Sequence, residues 1–247
     1  MWDDARQLNA IAITLSLIAA AFFGWATVGW VTRLPAFAFR DVVVTTPLSR
    51  TSGAHLESVI RGELTGTFFT MDLDRARAAL ARVPWVRAVA LRRQWPRRLE
   101  IAVDEHVPFA RWNDNALVDM RGDVFVASYA GELPQFRGPD GQAALMTARY
   151  REWNGLLSPL ALHLTGLDLS ARGGWQVHAD DATGPLTLEV GRDDVAGRLA
   201  RFVAVYGRTL GVLARTGTRV ERVDLRYRNG FAAQMPGFRE KPARKVS

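Results

Sequence analysis

Residues 39–103 read FRDVVVTTPLSRTSGAHLESVIRGELTGTFFTMDLDRARAALARVPWVRAVALRRQWPRRLEIAV. Phe39 to Thr45 is β-branched and ends before Pro47, the pattern of a strand. Thr51 or Ser52 can cap a helix on which Leu56, Val59 and Ile60 recur at helical spacing, and Gly62 ends the run. Asp72 or Thr70 caps a second helix with Leu73, Ala76 and Leu80 on one face, and Pro84 stops it. Val86–Arg92 and Leu99–Val103 read as strands, with Gln94-Trp95-Pro96-Arg97 as the turn between them. Val86, Ala88 and Ala90 alternate with Arg87, Val89 and Leu91 on the opposite face. Trp85, at the helix-to-strand corner, is expected to be largely buried. Strand, helix, helix, strand, strand make a small α+β unit.

Toward the N-terminus no charged residue stands between Gln7 and Thr32. The apolar heart, Ala10–Val31, would span roughly 33 Å at ~1.5 Å per residue, close to the hydrocarbon thickness of a bilayer. Trp25 and Trp30 lie where an interfacial aromatic belt would sit. A cleaved signal peptide has a basic start and an apolar region of only ~7–15 residues. Here the run is longer, and the chain opens on Trp2-Asp3-Asp4. A helix packed on a soluble domain of this size would keep a polar face toward water, and this segment has none. The segment therefore reads as one transmembrane helix, residues 10–32, after a short tail, residues 1–9. Arg6 stands on one side, and Arg33 and Arg40 on the other. That count favours a cytoplasmic body by a single residue.

Toward the C-terminus the pattern changes after Pro108. Ala110–Trp112, Leu117–Asp119 and Val124–Val126 are short strands separated by Asn113-Asp114-Asn115 and Arg121-Gly122-Asp123. A helix is expected from Gln142 to about Leu157, stopping at Pro159. Strands fit Leu162–Leu169, Trp175–Ala179 and Leu186–Val190. Asp193 or Asp194 caps a helix with Val195, Leu199, Phe202, Val203 and Tyr206 on its apolar face. Two last strands, Val220–Tyr227 and Phe231–Met235, flank Arg228-Asn229-Gly230. The lengths of the connections make this unit mostly antiparallel, with two helices. Residues 237–247 are charged and contain Pro, the composition of a disordered tail.

Several stretches carry a family resemblance together. They are Phe68-Phe69 with Met71-Asp72-Leu73, Pro84-Trp85-Val86-Arg87, Arg92-Arg93-Gln94-Trp95-Pro96, Glu105-His106-Val107-Pro108 and Ala110-Arg111-Trp112. Leu117-Val118-Asp119, Gly122-Asp123-Val124-Phe125 and Val223-Asp224-Leu225-Arg226-Tyr227-Arg228-Asn229-Gly230-Phe231-Ala232 complete the set. As one string they resemble the FtsQ/DivIB family of bacterial cell-division proteins over nearly the whole chain.

The resemblance implies a cytoplasmic tail and one inner-membrane helix in a single-pass type II orientation. It implies a POTRA domain at 37–107 and an FtsQ-type β domain at 108–236, both periplasmic, with the protein at the division septum. It also implies a non-catalytic divisome scaffold that binds FtsB and FtsL and links early to late division proteins, with FtsW, FtsI and FtsK as further contacts. The partner site, by the same resemblance, is Arg226, Tyr227, Asn229, Gly230, Phe231, Ala233 and Met235, with the last strand as a sheet edge that a partner strand can join. Taken without the resemblance, Tyr227 and Phe231 would read as ordinary core residues. Two departures stand out. Val44-Thr45-Thr46 replaces a frequent glycine, and Met235 stands where some members carry a large aromatic residue.

The 48% hydrophobic content is enough for a buried core. The net charge of +7 lies wholly outside residues 1–32, which hold Asp3, Asp4 and Arg6. Such a balance can serve nucleic acid or an anionic lipid surface, but spread as arginine over a soluble body it reads as solvated surface. The chain has no cysteine, which excludes disulfides and thiolate chemistry. His55, His106, His163 and His178 share no metal-ligand spacing. Asp104 and Glu105 are neighbours on a strand and point to opposite faces, poor geometry for shared acid–base work. No nucleophile elbow or phosphate loop is present.

Arg92-Arg93-Gln94-Trp95-Pro96-Arg97-Arg98 could stack and bind a nucleic acid. The alternative is a hairpin tip with solvated arginines and Trp95 packed on the edge of the unit. The expectation is no cofactor, no nucleic acid and no small-molecule substrate. A membrane-anchored transport or assembly chaperone, the other use of POTRA units, is the alternative function. An anchored hydrolase has no residues to name.

Overall fold

The computed structural model describes residues 5–63 and 65–236. The 237–247 stretch, whose composition suggests a disordered tail, lies outside the described residues, as does most of the 1–9 segment before Ala5. The chain divides into two compact units, residues 1–106 and 107–247.

In the first unit, helix α1 (Ala5–Val31) is continuous for 27 residues. Its Arg6–Val31 stretch has a mean hydropathy of 2.0, with no part of the most apolar window buried. One N-terminal apolar helix of this length and composition fits a single-pass membrane anchor.

Strand β1 (Asp41–Val44), helices α2 (Gly53–Glu63) and α3 (Leu73–Leu80), and strands β2 (Val86–Gln94) and β3 (Arg98–Glu105) complete the unit. The sheet order is β1-β3-β2, with β1 parallel and β2 antiparallel to the central β3. Asp72 caps α3, as its sequence position suggests: its carboxylate accepts the N–H groups of Asp74 and Arg75 at 3.0 Å. The Ser52 hydroxyl takes the His55 N–H at 3.4 Å, which settles the α2 cap between the two candidates. Leu56, Ala76 and Leu80 from the helices pack with Leu99, Ile101 and Val103 of β3.

Two expectations fail here. The register of β2 shifts between Val86 and Ala88, so Val86, Val89 and Leu91 all face the core. A bulge inserts one residue and reverses the alternation beyond it. Trp85 is only half-buried. The tight corner holds it at φ 72°, which turns its side chain away from the core, and the Arg50 guanidinium stands 5.3 Å from its ring centre. Val83 and Val86 fill the corner instead.

The second unit is built on one nine-stranded sheet. Strands β4 (Pro108–Trp112), β5 (Ala116–Asp119), β6 (Val124–Phe125) and β7 (Gln135–Arg137) precede helix α4 (Ala143–Leu157). Strands β8 (His163–Leu169), β9 (Trp175–Asp181) and β10 (Gly184–Gly191) lead to helices α5 (Val195–Tyr206) and α6 (Leu210–Arg215), then β11 (Arg222–Asp224) and β12 (Ala232–Gln234). The order is β12-β11-β10-β9-β8-β7-β4-β5-β6. Most pairings are antiparallel; β4–β7, β7–β8 and β10–β11 are parallel.

The core is made by inward residues such as Phe136, Leu167, Val177, Leu188 and Val223 against Met146, Trp153, Leu199 and Phe202 of the helices. Trp153 and Trp175 meet edge-on at 5.0 Å.

The fold is α+β, as expected, with three details that differ. A third, short helix, α6, joins the expected pair. Asp194 stands at the start of α5 in the left-handed region (φ 50°), where its side chain caps nothing and instead pairs with Arg201 at 3.2 Å. The strand expected over 220–227 shortens to β11, because the chain leaves the sheet after Leu225, whose N–H still bonds to β10.

Candidate partner-binding site

The site expected around residues 226–235 lies at one end of the nine-stranded sheet. β12 pairs antiparallel with β11 through Asp224↔Ala232, Val223↔Ala233 and Arg222↔Gln234. Among the described residues no strand lies beyond it. The other side of β11 is parallel to β10, where the Thr187 N–H donates to the Glu221 carbonyl and the Leu225 N–H to the Glu189 carbonyl, both at 2.9 Å.

Backbone groups alternate along a strand. Val223 therefore turns its groups toward β10, and Arg222 and Asp224 turn theirs toward Gln234 and Ala232; ahead of the strand the Glu221 N–H also donates to the Gln234 carbonyl at 3.0 Å. The same alternation on β12 points the N–H and C=O of Ala233 away from β11, along the open edge.

Side chains alternate in the other direction. Phe231, Ala233 and Met235 are half-buried and pack on the core, while Ala232 and Gln234 are exposed. Phe231 meets Phe202 of α5 edge-on at 6.1 Å. The two aromatic candidates thus differ. Phe231 belongs to the margin of the core, whereas Tyr227 projects from the loop with 58% of its surface exposed. Arg226, Asn229 and Gly230 are exposed on the same loop.

Arg226 is committed locally. Its Nε donates to Asp224 Oδ1 at 2.9 Å and its Nη2 to Oδ2 at 2.7 Å, and its backbone N–H also reaches Oδ1. The Arg226 side chain, against the opposing effect of burial, holds the Asp224 carboxyl below the usual range; the Arg226 N–H and the charge of Arg222 add to it. The Asp224 carboxylate in turn raises the Arg226 guanidinium further, by hydrogen bond and charge.

Sequence reading missed a neighbouring feature. A groove of about 460 Å³ opens between α5 and the 225–231 loop, floored by Phe202, Leu225 and Phe231 and rimmed by Arg198, Arg201 and Arg228. Arg198 donates to the Val190 carbonyl at 2.6 Å, which ties the rim to β10. Arg198 and Arg201 sit on α5 at positions that any solvated helix could show, and Arg228 lies in the loop, so no pattern marked them. Among the described residues no three His, Asp or Glu side chains gather as metal ligands.

Arg93 and Arg97, expected as solvated tip residues, are half-buried. Arg97 donates to the Ala36 carbonyl at 3.3 Å and Arg93 to that of Met71. Trp95 packs on Phe68 and Phe69 at the edge of the unit, as the structural alternative required.

An apolar N-terminal helix that fits a membrane anchor, a three-stranded βααββ unit and a larger sheet whose β12 edge is unpaired among the described residues define a POTRA protein with a β-rich C-terminal region. Residues 37–106 match the profile of the POTRA domain, FtsQ-type, and residues 110–226 that of the C-terminal region of cell division protein FtsQ/DivIB. Cell division protein FtsQ of Burkholderia pseudomallei is 34% identical over 97% of this chain and 96% of the relative. The Nitrosospira multiformis FtsQ is 34% identical over 95% of this chain and 99% of its own, and the Escherichia coli FtsQ is 31% identical over 93% and 85%. The chain belongs to the FtsQ family of cell-division proteins.

Proposed function

We propose that this chain is a non-catalytic scaffold of the divisome, anchored in the inner membrane with both folded units in the periplasm at the septum, and that it holds FtsB and FtsL through the open edge at β12. The observation that carries this reading is the outward-turned backbone of Ala233 at the end of the sheet. Among the described residues no strand pairs with that edge, so an added strand gains main-chain hydrogen bonds there. The exposed Tyr227 supplies an aromatic contact beside it, and the arginine-rimmed groove suits a partner segment that carries carboxylates.

The test is calorimetric binding of the full chain in nanodiscs to the periplasmic segment of FtsB. Tyr227→Ala should weaken binding by ~2 kcal/mol, roughly thirtyfold in Kd. Ala233→Pro should weaken it too, because proline removes the N–H that faces the partner while sparing the ladder to β11. Unchanged binding by both variants, with unchanged melting, would place the partner elsewhere.

A further inference from the structure

The first unit carries an exposed aromatic cluster that partner binding at β12 does not use. Phe37, Phe68, Phe69 and Trp95 come together from the segment after α1, the loop before α3 and the β2–β3 turn. Phe37 and Phe69 lie 5.2 Å apart, Phe68 and Phe69 5.3 Å, and Phe68 and Trp95 5.5 Å, all edge-on. The cluster is not a closed core, since Trp95 is 65% exposed and Phe69 47%. Contiguous exposed aromatic surface of this kind marks a contact with something other than water.

The way the cluster is held indicates its cover. Thr67, next to Phe68, donates its hydroxyl to the carbonyl of Thr32, the residue after α1, at 2.6 Å. The Phe68 N–H donates to the Phe37 carbonyl at 2.8 Å. The rings are therefore fastened directly to the point where the apolar helix ends. A helix that spans a bilayer ends at the headgroup layer, so groups hydrogen-bonded to its last turn lie at that depth. Trp and Phe favour that layer, and arginine stems can lie along it with their charges at the phosphates. Arg33 and Arg40 are exposed beside the cluster in sequence.

We propose that this aromatic tip seats in the headgroup region of a bilayer containing anionic phospholipid, so that the POTRA unit rests on the membrane as well as being tethered to it. The proposal rests on the reading of α1 as a membrane anchor.

The chain has no cysteine, so single reporters can be placed freely. Phe69→Cys, Ala88→Cys and Ile18→Cys variants of the full chain, each labelled with an environment-sensitive fluorophore, go into phosphatidylethanolamine–phosphatidylglycerol vesicles with lipids spin-labelled at shallow or deep positions. Ala88 is exposed and sits six residues back along β2 from Gln94, about 20 Å at ~3.3 Å per residue. The Phe69 label should lose roughly half its emission to the shallow quencher, and the Ala88 label almost none. The Ile18 label should be quenched from the deep position. Quenching at Ile18 with none at Phe69, or equal quenching at Phe69 and Ala88, overturns the seating while leaving the anchor intact; a protein occupant of the tip would give the first pattern. An Ile18 label untouched by the deep quencher overturns the anchor reading, and the seating with it.

Discussion

Glu105 closes the first unit by accepting the backbone N–H groups of Ser49 at 3.0 Å, Arg50 at 3.1 Å and Thr51 at 2.8 Å, just ahead of α2. Burial pushes its carboxyl up. The Thr51 hydroxyl and then the N–H groups of Thr51, Ser49 and Arg50 outweigh that, and the group sits below its ordinary value of 4.5. A depressed folded-state value means that the stabilisation is complete above the unfolded value and is lost as pH falls through the folded one. Glu105→Gln should therefore cost about 1 kcal/mol at neutral pH, after allowance for solvent screening. The melting difference from the parent should close as pH falls below 4.5 and through the lowered folded-state value; a difference that persists in strong acid would contradict this role for the charge.

Neighbouring Asp104 pairs with Arg87 instead, so the strand alternation that separates the two carboxylates was legible in the sequence. Trp85 and Asp194 were not. Both sit at positive φ, where the side chain leaves the direction that a helix cap or a strand start would give it, and no residue pattern reports that. Tyr227 and Phe231 look alike as letters, and only their places on a loop and a strand separate an exposed ring from a packed one.

The long elements were legible from their period, and the short strands β4–β6 and β12 from the turn residues beside them. α4, α5, β2, β3 and β8–β10 were all legible, with ends off by a few residues. β7 has three residues and α6 has six, too few for any periodicity, and their places are fixed by tertiary packing. The β2 bulge was invisible for a related reason: one inserted residue changes no composition, only the phase of the residues after it.

The turn between β5 and β6 was legible from Arg121-Gly122-Asp123, and its chemistry can be tested. Asp119 Oδ1 accepts the N–H groups of Arg121 at 2.8 Å and Asp123 at 2.9 Å, a side-chain-stabilised turn. Gly122 stands at φ +92°, and a Cβ there would lie 2.4 Å from the Ala144 Cα at the start of α4. Gly122→Ala should destabilise the second unit by roughly 2–4 kcal/mol, since backbone strain and overpacking act together. Chemical denaturation should show the loss. A neutral substitution would mean that the turn and α4 can separate freely.

At the scale of the whole molecule, an apolar helix that fits a membrane anchor and two units, each with its own apolar core, suit a protein that presents surfaces. The sequence made this organisation legible through one uninterrupted apolar run and a change of pattern after Pro108. Orientation was the weak point, since the arginine count and the family resemblance disagree. Alkaline phosphatase fused after Ser247 should be active if the body is periplasmic. A fluorescent fusion should form a mid-cell band in dividing cells. An even envelope signal would favour the transport or assembly chaperone instead.

The central claim is that a partner strand joins the sheet at β12, and amide hydrogen exchange reads that pairing directly. In the full chain without partner, the Ala233 amide should exchange quickly, because it faces the open edge, while those of Ala232 and Gln234 are held by β11. On adding the FtsB periplasmic segment, Ala233 should slow by about tenfold or more, with little change at its two neighbours. Saturating partner that leaves Ala233 unprotected, or that protects a different strand, would contradict the claim.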